Sequence, residues 1–102
     1  MGRPLESRFQ RKLIEELEKT YPDSIVTKLD SSVLQGIPDL LILRGDKWAT
    51  LESKRFEGAS HRPNQDWYVD NMNQMSFSRF ISPENKEDVL RDLKAFFDQR
   101  KE

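Results

Sequence analysis

Residues 36–54 read GIPDLLILRGDKWATLESK, and the fold turns on how this stretch is punctuated. Asp39 to Leu43 is a short apolar run with a charge at its mouth, Gly45-Asp46 is a two-residue turn signal, and Trp48 to Lys54 is a second strand-like run. The two runs therefore form a β-hairpin. With Gly45 and Asp46 as its loop, counting outward sets Arg44 opposite Lys47, Leu43 opposite Trp48 and Leu41 opposite Thr50. The same count brings Asp39 opposite Glu52. Directly opposed side chains have Cβ atoms about 4.5–5.5 Å apart, so like charges there destabilise a sheet unless something compensates. Two carboxylates facing one point are what a hard cation needs. Strand periodicity also puts Lys54 on the face of Glu52. The plainer alternative is a pair of solvated acids at a frayed hairpin end. Against it, Leu40, Leu41 and Leu51 flank the acids, which places them at the rim of a core.

Upstream, Leu5, Phe9, Leu13 and Leu17 recur at helical spacing with Ile14 beside them, so Leu5 to Thr20 is an amphipathic helix that Tyr21-Pro22-Asp23 stops. Ile25 to Leu29 alternates as a first, half-buried strand, and the polar stretch from Asp30 leads to the hairpin. Downstream, Pro63 suits the first turn of a helix running to about Met75, with Tyr68, Val69, Met72 and Met75 inward. Phe77 to Ile81 is a short strand. Ser82-Pro83-Glu84 provides an N-cap, a first helical position and an acidic first turn for a helix whose stripe is Val89, Leu90, Leu93, Phe96 and Phe97. The order is αβββαβα, without repeats or linkers.

The chain has 102 residues, which fits a single domain over 1–102 and leaves room for shallow sites only. Its 17 basic and 18 acidic residues give a formal charge of -1, so nucleic-acid binding would need a local basic patch. No cysteine and one histidine exclude disulfides, thiolate sites and His-rich metal sites, leaving carboxylates and hence magnesium or manganese. Neither a signal peptide nor a membrane span is read, and the expected location is intracellular.

Gly36-Ile37-Pro38-Asp39, then twelve residues, then Glu52-Ser53-Lys54 resembles the bipartite motif of the PD-(D/E)xK nuclease superfamily in order and spacing. Within it the chain is most similar to stand-alone VRR-NUC domains of phages and bacteria. Those domains share a leading acid on the first helix, here Glu6, and a downstream Arg-Pro element with a glutamine, here Arg62-Pro63-Asn64-Gln65. The resemblance implies a restriction-endonuclease-like α/β fold, an αβββαβ core with a mixed sheet and a C-terminal helix. It also implies hydrolysis of DNA phosphodiesters with Mg2+, or Mn2+ as substitute, in the cytoplasm of a bacterial or phage-infected cell. Activity on branched DNA, as in Holliday junction resolvases, would require a homodimer, because two symmetric cuts need two sites. The competing functions are a nicking or single-strand nuclease of the same chemistry and a non-catalytic DNA-binding module.

On this resemblance Asp39, Glu52, Glu6 and the Ser53 carbonyl hold the metal, Lys54 orients the water or meets the transition-state charge, and Gln65 contacts the water, the lysine or a phosphate. Glu6 is alternatively a first-turn acid complementing the helix dipole, and Gln65 an ordinary first-turn polar residue. Arg55, His61 and Arg62 form a basic rim for phosphates, or else solvated loop charges. Glu15, Glu16 and Glu18 read as a solvated face. Trp48 and Trp67 fit a core or a dimer surface better than base stacking, with Trp48 the better interface candidate.

Overall fold

A computed structural model of the chain describes residues 5–99, with side chains described from residue 7 onward. The hairpin is built as its turn chemistry requires: Gly45 has φ 62°, which suits glycine at the first place of a two-residue loop. That turn fixes Arg44 against Lys47, Leu43 against Trp48 and Leu41 against Thr50, the register expected from counting. The elements are α1 (Leu5–Thr20), β1 (Ile25–Lys28), β2 (Leu40–Arg44), β3 (Lys47–Ser53), α2 (Pro63–Met75), β4 (Ser78–Ile81) and α3 (Lys86–Phe97). The first three strands are antiparallel in chain order and β4 joins β3 in parallel, so the sheet is mixed and ordered β1-β2-β3-β4. A parallel pair needs a crossover, and α2 is that crossover.

Strand alternation sends two sets of side chains to opposite faces. Leu40, Ile42, Ala49, Leu51 and Ile81 share one face and pack with Leu13, Leu17, Val89, Leu93 and Phe97 of α1 and α3. Leu40, Ile42, Ala49, Leu51 and Leu93 are fully enclosed. Removing one such leucine from water contributes about 1.5–3 kcal/mol. Thr50, Glu52 and Ser78 point the other way, under α2: the Thr50 hydroxyl donates to Ser78 Oγ at 2.8 Å and lies 3.7 Å from the Met72 sulfur. At the hairpin end Arg44 pairs with Asp23 at 3.0 Å and stacks over Tyr21, whose ring meets Phe97 edge-on. The Arg44 hydrogen bond holds the Asp23 carboxyl below its ordinary pKa.

Three expectations are corrected. The last helix begins at Lys86, not behind Ser82, with residues 83–85 forming a turn. The cause is Asn85, whose amide accepts from the Ser82 N–H at 2.7 Å and donates to the Phe80 carbonyl, closing the strand exit before a helix can start. Met75 is 72% exposed, not inward, because α2 turns Val69 and Met72 toward the sheet and leaves the position before Ser76 at the helix margin. Finally, the ladder between β2 and β3 stops at Leu40 and Leu51, one step short of the Asp39–Glu52 pair.

No helix among the described residues is long and apolar enough to cross a membrane. Leu93→Ala, which empties the centre of the packing between α3 and the sheet, is expected to cost about 2–5 kcal/mol. Urea denaturation would read this as a lower midpoint at unchanged slope.

Candidate active site

The approach to Asp39 is shaped by backbone constraints. After β1, the Asp30 carboxylate accepts from the Ser32 hydroxyl at 2.6 Å and its N–H at 2.8 Å, bonds that keep this acid below the ordinary carboxylate pKa. Gly36 has φ 93°, and a Cβ there would collide with Cβ of Asn64 and stand 2.9 Å from the Asn64 backbone carbonyl carbon. Only glycine lets the loop lie this close to the first turn of α2. Pro38 is buried behind it, and the Asp39 carbonyl accepts from the Leu29 N–H at 2.9 Å. The backbone of Asp39 is thus tied to the end of β1 just outside the ladder.

Freed from strict pairing, the Asp39 side chain turns to Ser53. Its carboxylate accepts from the Ser53 hydroxyl at 2.6 Å and from the Ser53 N–H at 3.2 Å. Glu52, 5% exposed, is held separately: Gln65 Nε2 donates to its Oε2 at 3.1 Å, and Lys54 Nζ stands 4.0 Å from the same oxygen. Donors supplied to each acid offset the repulsion that two unscreened carboxylates at the ends of adjacent strands would suffer.

Gln65 links these groups. Its carbonyl oxygen accepts from Lys54 Nζ at 2.7 Å and from the Arg62 N–H at 3.1 Å, which leaves its NH2 facing Glu52. Pro63 starts α2 at the position where a missing N–H costs nothing, and this sets Gln65 in the first turn, above the sheet. The Lys54 ammonium also reaches the Ser60 carbonyl at 3.3 Å.

Asp39, Glu52, Arg62 and Gln65 line one cleft of about 250 Å³, together with Gly36 and Ile37. Lys54 and His61 line a neighbouring cleft of about 220 Å³ with Phe80. His61 stacks on Phe80 at 3.8 Å between centroids, and its Nδ1 lies 2.9 Å from Asp66. Arg55 is exposed and lines neither cleft. Ser53 is fully buried, with its hydroxyl and N–H engaged by Asp39. The backbone of Glu6 lies in α1, and its side chain lies outside the described residues.

Gln10 is the contact that sequence reasoning missed: its Nε2 donates to Ser53 Oγ at 3.3 Å, so α1 reaches the carboxylate through the serine. The available signal is spacing, because Gln10, Leu13 and Leu17 fall on one helical stripe and Gln10 is its polar member. Among the described residues no group of three or more carboxylate or histidine side chains converges as a metal cage. The carboxylates that share the cleft are Asp39 and Glu52. Compared with known proteins, the chain matches no family model, no curated protein and no solved structure.

Gly36→Ala is expected to destabilise the fold by about 2 kcal/mol through the disfavoured φ and the collision with Asn64. Chemical denaturation measures the loss, and Gly36→Asn, which tolerates positive φ but keeps the collision, should not restore stability.

Proposed function

We propose that the protein is a divalent-metal-dependent endonuclease that hydrolyses DNA phosphodiester bonds, with branched DNA as its substrate class. The observation that carries the reading is the lining of one cleft by Asp39 and Glu52, with Gln65 joining Glu52 to Lys54. Two carboxylates with hard oxygens fit Mg2+ or Mn2+, and Glu6 is the further acid proposed for the same ion. When bound, such an ion lowers the pKa of a water and neutralises charge that builds on the phosphoryl oxygens.

The protein's own groups do the rest. Ser53 holds the Asp39 carboxylate through two donors, so its orientation does not depend on solvent. Gln65 accepts from Lys54 and thereby keeps the ammonium beside Glu52, where it faces an attacking water or the charge developing on the phosphate. Arg62, on the cleft wall, and the exposed Arg55 meet neighbouring phosphates, and His61 closes the adjoining cleft against Phe80. With one such cleft among the described residues of a chain, paired cuts across a junction need two chains.

Cleavage of a labelled panel, comprising four-way junction, duplex, single strand and RNA, tests the reading with Mg2+, Mn2+ or EDTA. Symmetric cutting of the junction that EDTA stops is the expected result, and a well-folded protein that cuts nothing overturns it. Asp39→Asn and Glu52→Gln should lower the rate by on the order of 100-fold or more while the protein stays folded. Gln65→Ala, which removes the holder of Lys54 and Glu52 together with a cap on the Arg62 N–H, should cost about 10- to 100-fold, chiefly in kcat.

A further inference from the structure

Residues 54–62 join β3 to α2 without a helix or strand of their own, and most of them are exposed. Such a segment has little backbone bonding to keep it in one place. Yet the side chain of Lys54, at its start, is only 12% exposed, and the loop folds back on it to bring the Ser60 carbonyl within 3.3 Å of Nζ. What fastens the loop therefore decides what surrounds the ammonium.

His61 supplies a fastening on two sides. Its Nδ1 lies 2.9 Å from Asp66 Oδ1 on α2, and its ring is within 14° of parallel to Phe80 on β4, with centroids 3.8 Å apart. An ionised carboxylate only accepts, so the proton of the first contact is on Nδ1. Asp66 is half exposed, and a polar pair in that setting holds weakly by itself. The stack adds a hold on a different element. The Glu57 N–H also reaches the Glu84 carboxylate at 3.3 Å, but inside the Phe56–Ala59 turn, farther from Ser60.

We propose that His61 is the latch that closes this loop on Lys54, and so a positioning residue for the ammonium. The carbonyl that accepts from Lys54 Nζ belongs to the peptide group joining Ser60 to His61, so docking the imidazole fixes that acceptor directly. Gln65 Oε1 takes a second proton at 2.7 Å, and the third remains for the side of Glu52, 4.0 Å away. Phe80 serves both partners: His61 lies on its ring, and Lys54 Nζ stands 5.9 Å from its centroid. Swinging His61 out would carry the Ser60 carbonyl with it and leave the ammonium to Gln65 and solvent. The latch stands on these contacts, and its effect on a reaction rests on the nuclease function proposed above.

Reductive methylation of the folded protein, with each lysine followed by peptide mass spectrometry, reads the latch without DNA. In His61→Ala, Lys54 should react about 10-fold faster than in the wild type, while the exposed Lys28 on β1 keeps its rate. Asp66→Ala should shift Lys54 in the same direction, and Asp66→Asn, which keeps an oxygen for the Nδ1–H, should reverse most of that shift. Circular dichroism confirms folding, and equal Lys54 reactivity in the wild type and every folded variant overturns the latch.

Cleavage of DNA then reads the consequence. His61→Ala should lower kcat about 10-fold with KM unchanged, as expected when the lost group orients another that acts in the transition state. An unchanged kcat overturns the positioning role, and a raised KM beside it makes His61 a phosphate contact instead. A wild type that cleaves nothing overturns the nuclease reading, while the labelling of Lys54 still decides the latch.

Discussion

The turn at Gly45-Asp46 is the constraint on which the other features hang. A two-residue loop admits one register, and in a strand a slip by one residue would exchange every inward side chain for an outward one. Held in this register, Leu40 and Ile42 meet Leu51 and Ala49 inside the core, while Leu41 and Leu43 take the opposite face with Thr50 and Trp48. The acids inherit their places from the same count: Glu52 must point away from Leu51, toward α2, and Asp39 must arrive at the mouth of β2.

Withdrawing acids from water at the ends of two inner strands is costly unless donors meet them, and the chain meets each in a different way. Asp39 is served from within the sheet by Ser53, and Ser53 is backed by Gln10 from α1. Glu52 is served from across the crossover by Gln65, an amide whose two ends are both committed. Elements from both sides of the sheet thus converge on one cleft. A neutral amide suits this task, because it can accept from the lysine and donate to the glutamate at once, which neither an acid nor a base in that place could do.

Patterns with a fixed period were legible in the sequence. The boundaries of α1 and α2 and the hairpin register follow from apolar spacing, proline and glycine. What depended on side chains reaching across the fold was not. Ser82-Pro83-Glu84 has the chemistry of a helix start, yet Asn85 captures the Ser82 N–H and delays the helix, a contest between two local signals that spacing alone does not decide. Likewise the opposition of Asp39 and Glu52 follows from counting, but the rotation of Asp39 toward Ser53 depends on a hydroxyl whose partner is set in three dimensions. Gln10 escaped notice because a polar residue on an apolar stripe reads as a minor flaw in the pattern.

The parallel pairing of β4 with β3 has a bearing on how the molecule assembles. Strands β1 to β3 close through local connections, whereas β4 can join only after residues 54–77 have looped over the sheet, and closing that loop carries an entropic cost before any contact offsets it. Glu52 lies before this loop, Lys54 is its first residue and Gln65 lies within it. The cleft is therefore completed by the slowest kind of contact in the fold. An opening confined to α2 and β4 would leave the meander standing while separating Gln65 from both partners, and would break the polar cluster without unfolding the rest of the chain.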